Sequence, residues 1–109
     1  MLDEQQFQTM ADQALKRLEK NLNAAAENFD FEADMNNGAL TVEFEEPPAK
    51  FVVSPNSPVR QIWISAHQRS FKLDWDAGRQ SFVLPATSQD MNELMAEHIS
   101  KQLGEEVTL

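Results

Sequence analysis

Acidic side chains spaced two residues apart form the segment of this chain best suited to chemistry. Asp30, Glu32 and Asp34 alternate with apolar residues over 31–35, so a β-strand would turn all three carboxylates to one face. Their Cα atoms would follow one another at roughly 6.5–7 Å. An exposed set of oxygen ligands suits hard or borderline cations such as Ca²⁺, Mg²⁺, Mn²⁺, Fe²⁺ or Fe³⁺. The segment indicates either a weak, unselective cation site or a solvated acidic face without a ligand.

A second alternating segment follows and would pair with the first. Residues 40–44 carry apolar side chains at every second position, and Asn36-Asn37-Gly38 is typical of a hairpin turn. Pairing must keep apolar residues opposite apolar ones. That register predicts three facing pairs: Asp34 with Thr41, Glu32 with Glu43, and Asp30 with Glu45. Like charges that face each other cost on the order of a few tenths of a kcal/mol per pair, which a cation or a basic partner would remove.

A tryptophan on the polar face of a predicted strand is the second candidate for function. In residues 61–65, Ile62 and Ile64 alternate with Gln61, Trp63 and Ser65. The isoleucines suit the core, which leaves the tryptophan on the opposite face. Tryptophan is enriched at interface hot spots, so the face could bind a partner. It could equally lie flat on the sheet under a cross-strand neighbour such as Lys72.

The remaining residue types indicate no catalytic arrangement. The chain has no cysteine, which excludes disulfides, a thiolate nucleophile and cysteine-held zinc or iron–sulfur clusters. It has only three glycines, too few to suggest a loop that cradles phosphate. We expect His67 to be exposed in a turn and His98 to lie at the edge of the core. Neither has the spacing of a metal-binding pair.

Composition and charge bound the class of protein. The 109 residues, 41% of them hydrophobic, predict one globular domain over 1–109. The net charge is −9, and residues 1–46 carry 11 acidic and 3 basic side chains against 7 and 6 in residues 47–109. Such a surface disfavours nucleic acid and anionic membranes and favours cations and basic proteins. No targeting or membrane-spanning segment is evident, so we expect a cytoplasmic protein.

Two helices and several short strands would position these residues. Helical spacing of apolar residues predicts a first helix from about Asp3 to Ala26. A second runs from about Ser88, as N-cap, to Gln102, and Gly104 ends it. The strands between them are joined by turns too short for crossover helices, so the sheet is mainly antiparallel. We predict an α+β fold, a two-layer sandwich with two terminal helices packed on one face of the sheet.

Two motifs resemble the frataxin family. Residues 58–65, Pro-Val-Arg-Gln-Ile-Trp-Ile-Ser, resemble the family signature Pro-x-x-Gln-Ile-Trp-Leu-Ser. Residues 36–42, Asn-Asn-Gly-Ala-Leu-Thr-Val, resemble its Asn-Gly-x-Leu-Thr hairpin. The order helix, strands, helix fits from end to end, and the length is that of bacterial members. The resemblance implies a single frataxin-like domain of a bacterial cytoplasm.

The resemblance also implies iron as a weakly held, surface-bound metal, with other divalent cations as alternatives. Frataxins bind iron on a carboxylate ridge of the late first helix and first strand. The expected metal-binding residues are Glu19, Glu27, Asp30, Glu32 and Asp34, with Asp3, Glu4 and Asp12 of the first helix and Glu43 of the second strand. Asp12 could instead pair with Lys16. The ridge is thinner than in bacterial frataxins, because residues 20–26 contain no acidic side chain.

The implied function is regulatory binding, without enzymatic activity. Frataxins bind the cysteine desulfurase and the scaffold protein of iron–sulfur cluster assembly and modulate its rate. Gln61, Trp63 and Ser65 would form the partner-binding surface, with Ile62 given less weight. The alternative is an iron donor or storage protein that oxidises Fe²⁺ as it assembles, and a third is a purely structural acidic domain. We expect a monomer in the first case and metal-driven oligomers in the second.

Overall fold

A computed structural model describes residues 2–109 of the chain. Helix α1 spans Glu4–Ala26 and helix α2 spans Met91–Leu103. Between them lie seven strands, with a short 3₁₀ turn at Ser57–Val59. The strands are β1 Glu32–Asn36, β2 Ala39–Glu45, β3 Pro48–Asn56, β4 Gln61–Ala66, β5 Arg69–Asp76, β6 Ser81–Leu84 and β7 Gln89–Asp90.

Helix α1 follows from an apolar stripe and a capping box. Its buried residues recur every three or four positions, which puts them on one face: Phe7, Ala11, Leu15, Leu18 and Leu22. At its start, the Asp3 carboxylate accepts a hydrogen bond from the backbone N–H of Gln6 at 2.7 Å. The Gln6 side chain accepts one from the backbone N–H of Asp3. The predicted bounds are therefore confirmed, with Asp3 as the cap.

The strands form one antiparallel sheet in chain order, β1 to β7. Each strand pairs with the next through a turn, which short connections require. The register of β1 on β2 is the predicted one, with Glu32 opposite Glu43 and Asp34 opposite Thr41. The third predicted pair, Asp30 with Glu45, was wrong. Strand β1 begins at Glu32, so Asp30 lies outside the ladder, in the bend that follows α1.

Both helices pack on one face of this sheet and enclose a single cluster of buried apolar residues. Strands β2 to β5 contribute Leu40, Val42, Phe44, Phe51, Val53, Ile62, Ile64 and Leu73 to it. Helix α2 contributes Met91, Leu94, Met95 and Ile99. The predicted α+β two-layer sandwich is confirmed, and so is the assignment of Ile62 and Ile64 to the core. The opposite face of the sheet remains open to solvent.

The start of α2 differs from the prediction. Ser88 is not the N-cap, because it sits in a turn with a φ of +60° and the next two residues pair with β6 as strand β7. Asp90 caps the helix, and its carboxylate accepts from the backbone N–H of Glu93 at 2.8 Å. Glu93 accepts in return from the backbone N–H of Asp90 at 3.1 Å. The sequence signal was present, since an acidic residue three positions after Asp90 completes a capping box.

The chain after α2 packs back on the fold. Gly104 ends the helix with a φ of +68°, as expected. Val107 is buried, and its backbone N–H donates to the Ser100 hydroxyl at 2.8 Å. This contact holds the tail after Gly104 against α2.

Removing the α2 cap should destabilise the protein without disturbing its outer face. In Asp90→Ala the backbone N–H of Glu93 loses its acceptor, which should cost about 1 kcal/mol of unfolding free energy. Asp90→Asn is the matched control, because asparagine caps as well as aspartate and only the weak pair with Arg79 at 3.8 Å is lost. Urea unfolding measures both variants. Equal stability of the two would contradict the capping role.

The capping box of α2 also makes the free energy of unfolding depend on pH in the acid range. The backbone N–H of Asp90, and then the Arg79 side chain, lower the pKa of Glu93 from its ordinary 4.5. A depressed folded pKa means that this stabilisation is complete above pH 4.5 and is lost as the pH falls through the folded value. Glu93→Gln should therefore lose less stability than the parent on acidification below pH 4.5, measured by thermal unfolding. The matched control is Glu105→Gln, which removes one carboxylate at an exposed position beyond the helix.

Candidate functional site

The first hairpin presents a row of charges on the solvent face of the sheet. Glu32, Glu43 and Lys50 stand opposite one another on β1, β2 and β3, and all three are exposed. Facing side chains of neighbouring strands have Cβ atoms roughly 4.5–5.5 Å apart. Glu43 therefore has a like charge on one side and an opposite charge on the other. Lys50 therefore offsets part of the repulsion between Glu32 and Glu43 that a bound cation or a basic partner was predicted to remove.

The end of α1 adds negative charge to the same edge. Glu27 caps the helix, and the last turn contains no basic side chain. The carbonyl end of a helix carries a partial negative charge that favours cations. Asp30 is exposed in the bend just beyond, and β1 begins two residues later. We call Glu27, Asp30, Glu32, Asp34 and Glu43 the acidic edge. Glu19, partly buried, lies two turns back along the helix.

The other predicted metal-binding residues lie elsewhere. Asp3 and Glu4 start α1, and at 1.5 Å per residue they are roughly 35 Å along the helix from Glu27. The Asp3 carboxylate is engaged in the capping box. Asp12 pairs with Lys16 at 3.1 Å, the alternative that its spacing allowed. The fold therefore separates these three carboxylates from the acidic edge, and the two groups cannot bind one ion together.

The acidic edge is open and does not form a chelating pocket. Within residues 2–109, no three His, Asp or Glu side chains gather closely enough to enclose a metal ion. Its donors are exposed carboxylate oxygens, which suit hard or borderline cations. A site of this kind fits weak, outer-surface binding of an ion as cargo or effector. It lacks the enclosure expected of a resident cofactor.

Trp63 lies on the same solvent face, held by a short chain of hydrogen bonds. Its Nε1–H donates to Gln61 Oε1 at 2.9 Å, and Gln61 Nε2 donates to Asp74 Oδ1 at 3.0 Å. Lys72, directly opposite on β5, places its ammonium 5.1 Å from the indole ring centre. Trp63 nevertheless remains 37% exposed. The predicted cover by Lys72 exists but is partial, so a fixed, accessible aromatic surface remains.

Two histidines meet that the sequence did not predict to be partners. His67 is exposed in the β4–β5 turn and His98 is 5% exposed on α2, as expected individually. Their Nδ1 atoms are 2.9 Å apart. Burial, and then the neighbouring His67, lower the pKa of His98. No local spacing could have revealed this contact, because the two residues are 31 positions apart.

Two terminal helices on one face of an antiparallel sheet, with carboxylates along its first hairpin, define the frataxin-like class of α+β proteins. The family model of the frataxin-like domain matches residues 1–105. The chain therefore belongs to the frataxin family.

Known relatives agree with this assignment. The chain is 30% identical over 92 residues to "Iron-sulfur cluster assembly protein CyaY" of Azotobacter vinelandii, covering 83% of each chain. It is 30% identical over 108 residues to the protein of the same name from Dechloromonas aromatica, covering 99% of each. The solved structure of frataxin from Psychromonas ingrahamii superposes with a TM-score of 0.84 at 22% identity. That match covers 98% of this chain and 97% of the other, and it supports the fold.

Neither helix of the described chain, residues 2–109, has the length and apolar character needed to cross a bilayer.

Neutralising Glu32 should stabilise the protein, and neutralising both carboxylates of the facing pair should weaken cation binding. Glu32→Gln removes the repulsion across β1 and β2 and keeps the attraction between Glu43 and Lys50, so its unfolding free energy should rise by about 0.2–1 kcal/mol at low salt. This gain in unfolding free energy should become smaller at higher salt, because salt screens the repulsion between the carboxylates of the parent protein. Glu32→Gln/Glu43→Gln also loses that attraction and serves to test cation binding. Urea unfolding and calorimetric titration with Fe²⁺ measure the two effects.

The matched control for that variant is Glu4→Gln/Asp12→Asn, which removes the same charge far from the hairpin. It should leave Fe²⁺ binding unchanged and give no gain in stability. Unchanged stability in Glu32→Gln and unchanged Fe²⁺ binding in the double hairpin variant would contradict the acidic edge as a cation site.

Proposed function

We propose that this protein binds iron weakly and regulates iron–sulfur cluster assembly by docking on the cysteine desulfurase and its scaffold protein. The observation that carries the proposal is the location of three residues of the acidic edge and of Trp63 on one solvent face of one sheet. Those three residues are Glu32, Asp34 and Glu43, and Glu27 and Asp30 precede them in the chain, between α1 and β1. The names of the similar proteins, which refer to iron–sulfur cluster assembly, support the same process. Binding of partners and regulation of rate are our inference.

The dimensions of the face fit one partner. Asp34, Thr41, Val52 and Ser65 form one cross-strand row, and strand spacing puts its ends roughly 14 Å apart. Glu43 lies two strands from Trp63 and roughly 16 Å away. A standard interface covers about 800 Å² on each partner, an area roughly 28 Å across. One protein could therefore contact the acidic edge and Trp63 together.

The two parts of the face would contribute differently. The acidic edge would attract a basic patch and accelerate encounter, an effect that salt screens. Trp63 is positioned in advance by Gln61, so little rotamer freedom is lost when a partner covers it. A buried aromatic residue of this kind is a common source of interface energy. Electrostatics would set the rate of association, and the tryptophan would set the lifetime of the complex.

Iron would bind to the acidic edge as cargo or effector. Glu27, Asp30, Glu32, Asp34 and Glu43 would supply exposed oxygen ligands, with Glu19 nearby on α1. Because partner and iron would use the same carboxylates, each should weaken binding of the other. This competition would let iron availability change the amount of regulator bound to the desulfurase.

Affinity for the cysteine desulfurase of the same organism is the first test. Binding should weaken steeply from low to moderate salt, and Glu32→Gln/Glu43→Gln should weaken it at low salt and flatten its salt dependence. Glu4→Gln/Asp12→Asn should behave like the parent. An absence of binding at low salt would contradict the proposal. Iron-driven assembly seen by light scattering would then favour the iron donor or storage alternative.

Trp63→Ala tests the second part of the face. We expect binding to the desulfurase to weaken by about 2 kcal/mol, mainly through faster dissociation, because the main apolar contact is lost. Unfolding should stay cooperative, since Trp63 lies outside the core cluster. Val59→Ala, which removes another exposed apolar side chain, is the control. A large loss of stability in Trp63→Ala would make the residue structural.

A further inference from the structure

A cavity on the helix side of the sheet lies apart from the acidic edge and Trp63. Its volume is about 510 Å³, and its lining comes from the middle of α1, the first residues of α2 and the β5–β6 hairpin. Pockets that hold small molecules have volumes of about 300–1,000 Å³. The acidic edge lies at the β1 end of the sheet, and Trp63 lies on the opposite face. The cavity therefore shares no residue with the surface on which the proposed function rests.

Aromatic and methionine side chains form the base of the cavity. Trp75 on β5 and Phe82 on β6 are directly opposite each other, with their ring centres 5.1 Å apart in an edge-on arrangement. Strand alternation turns Trp75 to the same side as Leu73, which is fully buried, but the indole itself is only partly buried. Met10 of α1 and Met91 of α2 line the cavity as well. Such a base offers a flat ring and two polarisable, adaptable side chains to an apolar ligand.

Arg79 forms one wall of the cavity, and its charge is already compensated. It belongs to the turn between β5 and β6, and its guanidinium lies 3.2 Å from Glu93 Oε1 and 3.8 Å from Asp90 Oδ2. It also donates to the backbone carbonyl of Ser88. These contacts tie the turn to the start of α2. Arg79 therefore fixes the wall of the cavity and leaves little charge for a ligand.

Arg17 carries the positive charge that remains for a ligand. It lines the cavity from α1, together with Gln13 one turn earlier. The ion pairs within residues 2–109 involve other basic side chains, which are Lys16, Arg79 and His98. In a chain with a net charge of −9, the cavity thus has an unpaired guanidinium next to an apolar base. That guanidinium complements a single carboxylate, which it can bind through two parallel hydrogen bonds.

We propose that the cavity binds a small aromatic carboxylate. The aromatic ring would lie on Trp75 beside the two methionines, and the carboxylate would pair with Arg17 and accept a hydrogen bond from the Gln13 amide. A doubly charged phosphate fits less well, because Asp90 lines the same cavity and its carboxylate already caps the start of α2. A ligand with one negative charge meets less of that repulsion and gains both apolar burial and one ion pair.

Phenylacetate is the probe that tests the site, and its neutral amide, phenylacetamide, is the matched ligand. Titrations of the full chain are followed in heteronuclear NMR spectra, where the indole N–H signals of Trp75 and Trp63 report separately on the two faces of the sheet. Phenylacetate should shift the Trp75 signal saturably and leave the Trp63 signal in place. Phenylacetamide should bind about fivefold more weakly, because it keeps the ring and lacks the charge that pairs with Arg17.

Arg17→Gln separates recognition of the carboxylate from binding of the ring. It should weaken phenylacetate binding about fivefold and leave phenylacetamide binding unchanged. Lys20→Gln is the matched control, because it removes the same charge from an exposed position about one turn further along α1, outside the lining of the cavity. It should keep the parental affinity for both ligands. Glutamine forms helices about as well as arginine and lysine, so α1 should be retained in both variants.

Three results would overturn the proposal. Phenylacetate shifts that spread over both indole signals, or that never saturate, would indicate non-specific adsorption. Equal affinity of the parent for phenylacetate and phenylacetamide would mean that the cavity accepts aromatic rings without recognising the carboxylate. An equal loss of phenylacetate binding in Arg17→Gln and Lys20→Gln would reflect only the change in net charge.

Discussion

Burial of one face of the antiparallel sheet beneath two helices is the constraint on which the rest of this structure depends. Side chains alternate between the two faces of a strand. Because Val42, Ile62 and Ile64 are buried under the helices, the residues next to them in each strand must point to the opposite face of the sheet. Glu43 and Trp63 therefore face solvent. A slip of one residue would bury a carboxylate, at a cost far above the mild repulsion that the observed register tolerates.

That constraint explains how an acidic protein can hold like charges face to face. Glu32 and Glu43 remain in water, where their repulsion is small, and Lys50 on the third strand balances one of them. The negative charge that no basic side chain balances lies near the end of α1, whose last turn contains no basic residue. A small electrostatic repulsion is thus concentrated at the acidic edge, where a cation or a basic surface would relieve it.

Much of this arrangement could be predicted from local patterns. Alternation predicted the hairpin register and the outward direction of Trp63, and helical spacing predicted both helices. The errors came at element ends, where several residues compete for one role. The sequence pattern placed Asp30 in the first strand, because the alternation of polar and apolar residues extends to it. In the structure, Asp30 lies in the bend that connects α1 to β1. Ser88 resembled a cap, yet Asp90 with Glu93 makes the better capping box.

The sequence alone determined the faces of the elements, because periods of two and of 3.6 residues are properties of neighbouring positions. It also determined the acidity of the first half and the family motifs around Trp63. Only the tertiary structure decided which distant residues meet: Lys50 beside Glu43, Val107 on Ser100, and His67 against His98. Such contacts depend on which strands pair and on how the helices pack on the sheet, and no spacing along the chain records that packing.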